Sequence, residues 1–156
     1  MFYLITYGFT VLGAFAVVSL VRDSSGEATH LSQWAGLGKR SPLVAGIFTV
    51  FLLAMAGIPL TSGFAGKFAV FSAALASGAG PLVVVAVLAS AAAAFFYVRV
   101  IVLMFFSEPA VDGPSVVVPS AFTTVALAVG VSVTIVLGVI PQPVLNLVDQ
   151  ASTFVR

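Results

Sequence analysis

A chain of 156 residues that is 61% hydrophobic and only 7% charged, with a mean hydropathy of +1.23, is far from the roughly 45–50% apolar and about 25% charged composition of soluble domains; it reads as an integral membrane protein. The formal net charge is +1 and the basic residues are scattered, so there is no basic patch to bind nucleic acid. Cysteine is absent, which excludes a disulfide framework, a thiolate metal site and a cysteine nucleophile.

The first apolar run, about 2–21, is long enough at helical rise to cross a hydrocarbon core of about 30 Å. It opens at Met1 but ends at Arg22-Asp23-Ser24-Ser25 without a cleavage site, so it reads as a spanning helix and not a signal peptide. Tyr3, Thr6, Tyr7 and Thr10 lie within it, and their polar groups suit hydrogen bonding between helices better than a direct part in transport. Residues 22–42 carry Arg22, Asp23, Glu27, Lys39 and Arg40 among Gly and Ser, the pattern of a surface loop with a short interfacial helix around Trp34. His30, the single histidine, reads as a solvated loop residue, and Pro42 suits the first turn of the next helix.

The apolar pattern from 43 to 77 would be on the order of 50 Å long at helical rise, too long for one straight span. Pro59 removes a backbone donor and clashes with the preceding turn. Gly57 and Gly63 add flexibility around it, Gly66 also breaks the run, and Thr61 and Ser62 can satisfy freed carbonyls. The expectation is two half-helices joined by an unwound piece near 57–63. Such backbone is tolerated at membrane depth only where protein buries it or a hydrated cavity adjoins it, and in transporters it marks ion sites.

Lys67 stands out in this run. It lies about 16 Å along the axis before Gly78, near mid-membrane and too deep to snorkel comfortably. A cation in hydrocarbon is costly, so an intramembrane lysine is a functional candidate by default. No Asp or Glu occurs between Glu27 and Glu108, so a carboxylate partner at that depth would come from chain outside this sequence.

After a turn at 78–81, a third span covers about 82–106. Its small residues at 89–94 permit close helix approach. Arg99, beside Phe95, Phe96 and Tyr97, lies about 10 Å before the end of that run and reads as an interfacial anchor; arginine does not release its proton. Residues 107–119 form a loop whose acids, Glu108 and Asp112, read as a solvated face. A fourth span follows at about 120–140. The tail 144–156, with Val144, Leu145, Val148 and Ala151 at helical spacing, reads as an interfacial helix. The expected fold class is therefore all-α integral membrane: one membrane domain of four transmembrane segments, the second discontinuous, forming part of a larger antiporter-like bundle. Basic residues in loop 22–42 put that loop and 107–119 on the cytoplasmic side and the termini outside. The sequence holds no phosphate loop, dinucleotide fingerprint, zinc motif or catalytic triad, so no bond-making chemistry is expected of this chain alone.

The run Leu53-Ala-Met-Ala-Gly-Ile-Pro-Leu-Thr-Ser-Gly-Phe-Ala-Gly-Lys-Phe-Ala-Val-Phe71 resembles the broken-helix signature of the antiporter-like membrane subunits of respiratory complex I, the proton-translocating NADH-quinone oxidoreductase. Tyr3-Leu4, Tyr7 and Gly13-Ala-Phe-Ala-Val-Val18, then Gly36-Leu-Gly-Lys-Arg-Ser-Pro42, then Phe96-Tyr-Val-Arg-Val-Ile101 with Met104-Phe105, point within that family to the subunit N group. The motif around Lys67 is shared with multisubunit sodium/proton antiporters and membrane-bound hydrogenases, which stay open as alternatives; so does a purely structural packing role. The resemblance implies that the chain corresponds to the last helices of a larger subunit, with Met1 internal to it. Lys67 would be the protonatable lysine of the family's broken twelfth helix, working with lysines on the seventh and eighth helices and a glutamate on the fifth. It implies no cofactor in this chain, with FMN, iron–sulfur clusters and quinone elsewhere in the complex. The implied partners are other membrane subunits, the missing N-terminal helices and lipid, not nucleic acid, and the implied location is the plasma (inner) membrane.

Overall fold

A computed structural model describes residues 2–23, 26–109 and 113–153, and side chains as far as Leu147. The expected roles of Asp112, Val148 and Ala151 lie outside these described residues and side chains.

Helix α1, Phe2–Val18, is followed by a short strand β1, Val21–Asp23, and its partner β2, Gly26–Glu27. A single 3-10 turn, Leu31–Trp34, and a one-turn helix α2, Leu37–Arg40, lead into α3, Pro42–Ala56. Helix α4, Ser62–Ala76, begins after an irregular link at 57–61. Helix α5, Gly80–Phe106, strand β3, Ser115–Val116, and helices α6, Ala121–Val139, and α7, Gln142–Thr153, complete the chain. Helices α5 and α6 are each long and apolar enough to cross a membrane, while α1, α3 and α4 are shorter apolar helices.

Local chemistry sets the boundaries. Pro42 occupies the first turn of α3, where its missing N–H costs nothing, and the Ser41 carbonyl accepts from Ala45. Helix α1 stops at Val18, short of the expected 2–21, because Val21 enters β1 and pairs with Val116. Ser120 caps α6, its hydroxyl accepting the Thr123 N–H.

Helix α1 packs against α3, α4 and α6, and α3 against α5. At the centre, the ring of Phe51 on α3 wedges between α1 and α6 where both carry glycine. A Cβ on Gly13 would lie 2.3 Å from that ring, and one on Gly130 3.2 Å from it. Val17, Leu37, Phe48, Leu52, Met104 and Leu127 extend the same buried cluster. By contrast α5 buries only Val83, Val100 and Met104, and presents Leu88, Phe95, Phe96 and Phe106 outward.

Two expectations need correction. The chain is not purely helical, because β1 pairs antiparallel with both β2 and β3, with Arg22 opposite Glu27 and Ser115. This small sheet ties the segment after α1 to the segment after α5. Both carry free backbone donors and acceptors at the same end of the bundle, and backbone pairing satisfies them. The second correction concerns Trp34, expected at an interface. It is buried, its ring lying 4.9 Å from that of Phe48 and its indole N–H donating to the Ala28 carbonyl at 3.3 Å. Burial of both ring and N–H within the chain removes the reason for a lipid-interface position.

The loop segments are joined further by side chains. Lys39 donates to Glu108 at 2.6 Å. The Arg40 guanidinium donates to the carbonyls of Gln33, Ala35 and Pro114. Gly36, in the left-handed region at φ 66°, donates its N–H to the Leu103 carbonyl and abuts Pro109 so closely that a Cβ would fall 2.5 Å from the Pro109 nitrogen.

A candidate proton-carrying site at the α3–α4 junction

The site is built by the way α3 ends. The last four carbonyls of a helix have no partner within it and carry the negative end of its dipole. In α3 these belong to Leu53, Ala54, Met55 and Ala56. Gly57 adopts the left-handed conformation at φ 84°, and its N–H reaches the carbonyls of Leu53 and Ala54, both at 3.0 Å. The N–H of Ile58 also donates to Leu53, at 3.1 Å. This turn leaves the carbonyls of Met55 and Ala56 to be satisfied.

Lys67, in the second turn of α4, supplies that partner. Its Nζ donates to Met55 O at 3.0 Å and to Ala56 O at 3.1 Å. The half-buried side chain passes directly over Gly57, where a Cβ would stand 3.0 Å from Lys67 Cδ and 3.2 Å from Nζ. The sequence places any carboxylate partner for this cation outside the chain; among the described residues the end of a neighbouring helix holds it.

The other residues singled out in the sequence fall around this contact. Gly63 packs on the α3 backbone, a Cβ there falling 1.7 Å from Ala54 O, and a Cβ on Gly66 would fall 2.9 Å from Thr6 Oγ1 on α1. These two glycines permit close approach, where flexibility was expected of Gly63. Pro59 lies exposed in the link, followed by Leu60 at φ 71°. Thr61 Oγ1 donates to the Ile58 carbonyl at 2.7 Å, so it does satisfy a freed carbonyl. Arg99 stands apart. It is exposed on α5 and borders a cavity of about 390 Å³ with Leu31, Ser32 and Ser107, toward the loop end. His30 is exposed in the loop, its backbone N–H donating to Gln33 Oε1 at 2.8 Å.

Two cavities adjoin Lys67. A small one, about 20 Å³, is lined by Tyr3, Thr6, Tyr7, Thr10, Ala54, Met55, Gly63 and Lys67. A larger one, about 220 Å³, is lined by Tyr3, Lys67, Val70, Phe71, Ala86 and Ser90 on the α5 side. The rings of Tyr3 and Tyr7 stack with centroids 5.6 Å apart. Beyond them lies a buried hydroxyl cluster that sequence reasoning did not assemble. Thr10 Oγ1 lies 3.4 Å from Ser62 Oγ and 3.5 Å from Thr134 Oγ1, joining α1, α4 and α6.

This arrangement suits a group that changes its charge. A lysine ammonium has three protons, two of them engaged by Met55 and Ala56. A neutral amine keeps two N–H groups, enough for the same two carbonyls. The cap on α3 therefore survives in either protonation state, and the third proton can come and go without uncapping the helix.

Shorter apolar helices gathered around a lysine whose partners are backbone carbonyls, beside two helices long and apolar enough to cross a membrane, are consistent with a membrane domain of antiporter-like type. Residues 1–92 match the family model described as NADH:quinone oxidoreductase/Mrp antiporter, TM, and the chain belongs to that family. Over its whole length it is 71% identical to NADH-quinone oxidoreductase subunit N of Rhodococcus opacus and 70% identical to NADH-quinone oxidoreductase subunit N 3 of Streptomyces griseus, covering 29% and 28% of those proteins. The chain thus spans under a third of the length of these curated relatives. Among solved structures it is similar to a chain of respiratory complex I from Thermus thermophilus with bound aureothin, with a TM-score of 0.80 and 29% identity over 93% of this chain and 33% of that one.

Proposed function

We propose that this chain is the C-terminal part of a subunit N of proton-translocating NADH-quinone oxidoreductase, and that Lys67 carries protons within it. The observation that carries the relay role is the hold on Lys67 Nζ, whose two carbonyl partners can be satisfied by either charge state. The family model is shared with multisubunit antiporters, but the relatives at 71% and 70% identity favour the oxidoreductase. In this reading α3 and α4 are the halves of one discontinuous transmembrane helix, interrupted at 57–61, and α1, α5 and α6 are the other spans of a four-span membrane domain. Gly57, Gly63 and Gly66 fit the halves together against α1, Pro59 stands in the break, and α7 lies at the interface. Arg99 anchors α5 at the loop end.

The loop end, carrying Arg22, Lys39 and Arg40, faces the cytoplasm by the positive-inside tendency, with the termini outside. With no cysteine, this chain offers no thiolate to an iron–sulfur cluster. Electron transfer from NADH through FMN and iron–sulfur clusters to quinone belongs to other subunits, and the exposed faces of α5 suit lipid and the remaining helices of the subunit.

The test is a pair of substitutions in the intact complex. Lys67→Arg keeps N–H donors for the α3 carbonyls but holds its proton permanently. Lys67→Met removes both donor and charge. Each is expected to lower the number of protons moved per NADH while uncoupled NADH oxidation continues, and Lys67→Arg is expected to assemble better than Lys67→Met. Unchanged proton stoichiometry in an assembled Lys67→Arg complex would refute the relay role.

A further inference from the structure

We infer that the loop end of α5 carries a binding site for one anionic phospholipid, its phosphate held by Arg99 with Ser32 and Ser107, and one acyl chain lying in the apolar trough between α1, α3 and α5. Two cavities of about 390 Å³ each build the site. One is lined by Arg99, Ser32 and Ser107 together with Leu31, Val102 and Leu103. The other is mainly apolar, with Val18, Phe48, Leu52, Phe96 and Val100 on its wall and Glu27 at its loop side. Leu31 borders both, so a polar cavity and an apolar one adjoin at a single side chain.

Depth and charge select the ligand. Arg99 lies about 10 Å along the axis before Phe106, the end of α5. Centring the roughly 40 Å of α5 on a hydrocarbon core of about 30 Å puts the Arg99 Cα about 5 Å beneath the boundary, from which its exposed side chain reaches the phosphate layer. The apolar cavity leads the other way. Phe48 and Leu52 stand about 9 and 15 Å along α3 from Pro42, the depth that an acyl chain fills below its phosphate. A guanidinium donates in a planar fork that matches two phosphate oxygens, and the two serine hydroxyls add donors beside it. The acids described at this end are engaged elsewhere: Glu108 accepts from Lys39, Glu27 pairs with Arg22, and Asp23 accepts from Gln33. Among the described residues no carboxylate lines the Arg99 cavity to receive a choline or ethanolamine, so the charge balance favours a lipid of net negative charge.

The inference rests on the proposed spanning of the membrane by α5 and is independent of Lys67 and the relay. The intact complex, reconstituted in phosphatidylcholine vesicles, is exposed to phosphatidylglycerol or phosphatidylcholine carrying a photoreactive group in one acyl chain, and cross-linked peptides are identified by mass spectrometry. Phosphatidylglycerol is expected to label residues 27–34, 48–52 and 96–100. That labelling should fall about fivefold in Arg99→Gln, the effect of one basic residue at an anionic surface, and be largely kept in Arg99→Lys. Equal labelling of these segments by the two lipids would overturn the anionic headgroup, and labelling untouched by Arg99→Gln would overturn the part given to Arg99. Cryo-EM of the same complex is expected to show a headgroup on the Arg99 guanidinium and a chain beside Phe96. A side chain or helix from elsewhere in the complex seated on Arg99 would overturn the lipid site while keeping α5 as a span, whereas α5 lying outside the bilayer would overturn the proposed arrangement itself.

Discussion

Gly63 and Ala54 are in backbone contact: a Cβ built on Gly63 would sit 1.7 Å from the Ala54 carbonyl oxygen. The first turn of α4 is thereby seated against the last turn of α3, which brings Lys67 within reach of Met55 and Ala56. Gly63→Ala cannot be relieved by a side-chain rotation, because the clash is with main chain. Overpacking of this kind costs about 1–3 kcal/mol. The variant is expected to lower the thermal stability of the assembled complex, whereas Gly46→Ala, with nothing within 4 Å, should leave it unchanged. Equal melting of the two variants would refute the packing role.

Gly57 makes a second, separable demand. At φ 84° an L-residue is strained by roughly 1–2 kcal/mol, and the added Cβ would press on Lys67 Cδ and Nζ at 3.0 and 3.2 Å. Gly57→Ala is therefore expected to loosen the lysine from its two carbonyls. Its signature is a fall in protons moved per NADH greater than any fall in the amount of complex assembled, measured on the same membranes.

These contacts mark how far the sequence could be read. The irregular link between α3 and α4 falls where Pro59 and glycines break an over-long apolar run, and Lys67 drew notice because a lone cation in such a run demands explanation. The role of Met55 and Ala56 was not legible. Their carbonyls belong to every residue alike, and only the left-handed turn at Gly57 decides which of them stay open. Trp34 was misplaced for a related reason: in a hydrophobic chain an aromatic near a span end fits a lipid interface or a protein core equally well, and the choice is made by Phe48, distant in sequence. The sheet escaped notice because β1, β2 and β3 are two or three residues long, too short to display alternation.

At the loop end, two basic neighbours should differ sharply in worth. The Lys39–Glu108 pair is short at 2.6 Å, but its side chains are 50% and 84% exposed. Such exposed pairs contribute about 0.2–1 kcal/mol, so Glu108→Gln is expected to change stability little, and less still at high salt. Arg40 instead joins three backbone carbonyls from both loop segments. Its replacement by methionine leaves those acceptors short of partners at about 1–3 kcal/mol each where they are buried. Limited proteolysis of the loops should therefore be faster in Arg40→Met than in Glu108→Gln; the opposite order would refute this assignment.

The orientation can be tested with unusual clarity because the chain has no cysteine of its own. The exposed Ser32 lies at the end where Arg22, Lys39 and Arg40 gather, and Gly36 of that end is hydrogen-bonded to Leu103, late in α5. Ser77 is exposed just before α5 begins. The 27 residues of α5 span about 40 Å, more than a hydrocarbon core of about 30 Å, so the proposed spanning arrangement puts Ser32 and Ser77 on opposite faces of the membrane. A membrane-impermeant thiol reagent, applied to sealed vesicles of known sidedness with native cysteines removed from the rest of the subunit and from the other subunits, is expected to label Ser32→Cys only from the cytoplasmic face. Ser77→Cys should react only from the outer face. Labelling of both from one side would refute the spanning arrangement itself, while a clean reversal would keep the spans and overturn the orientation drawn from the basic residues.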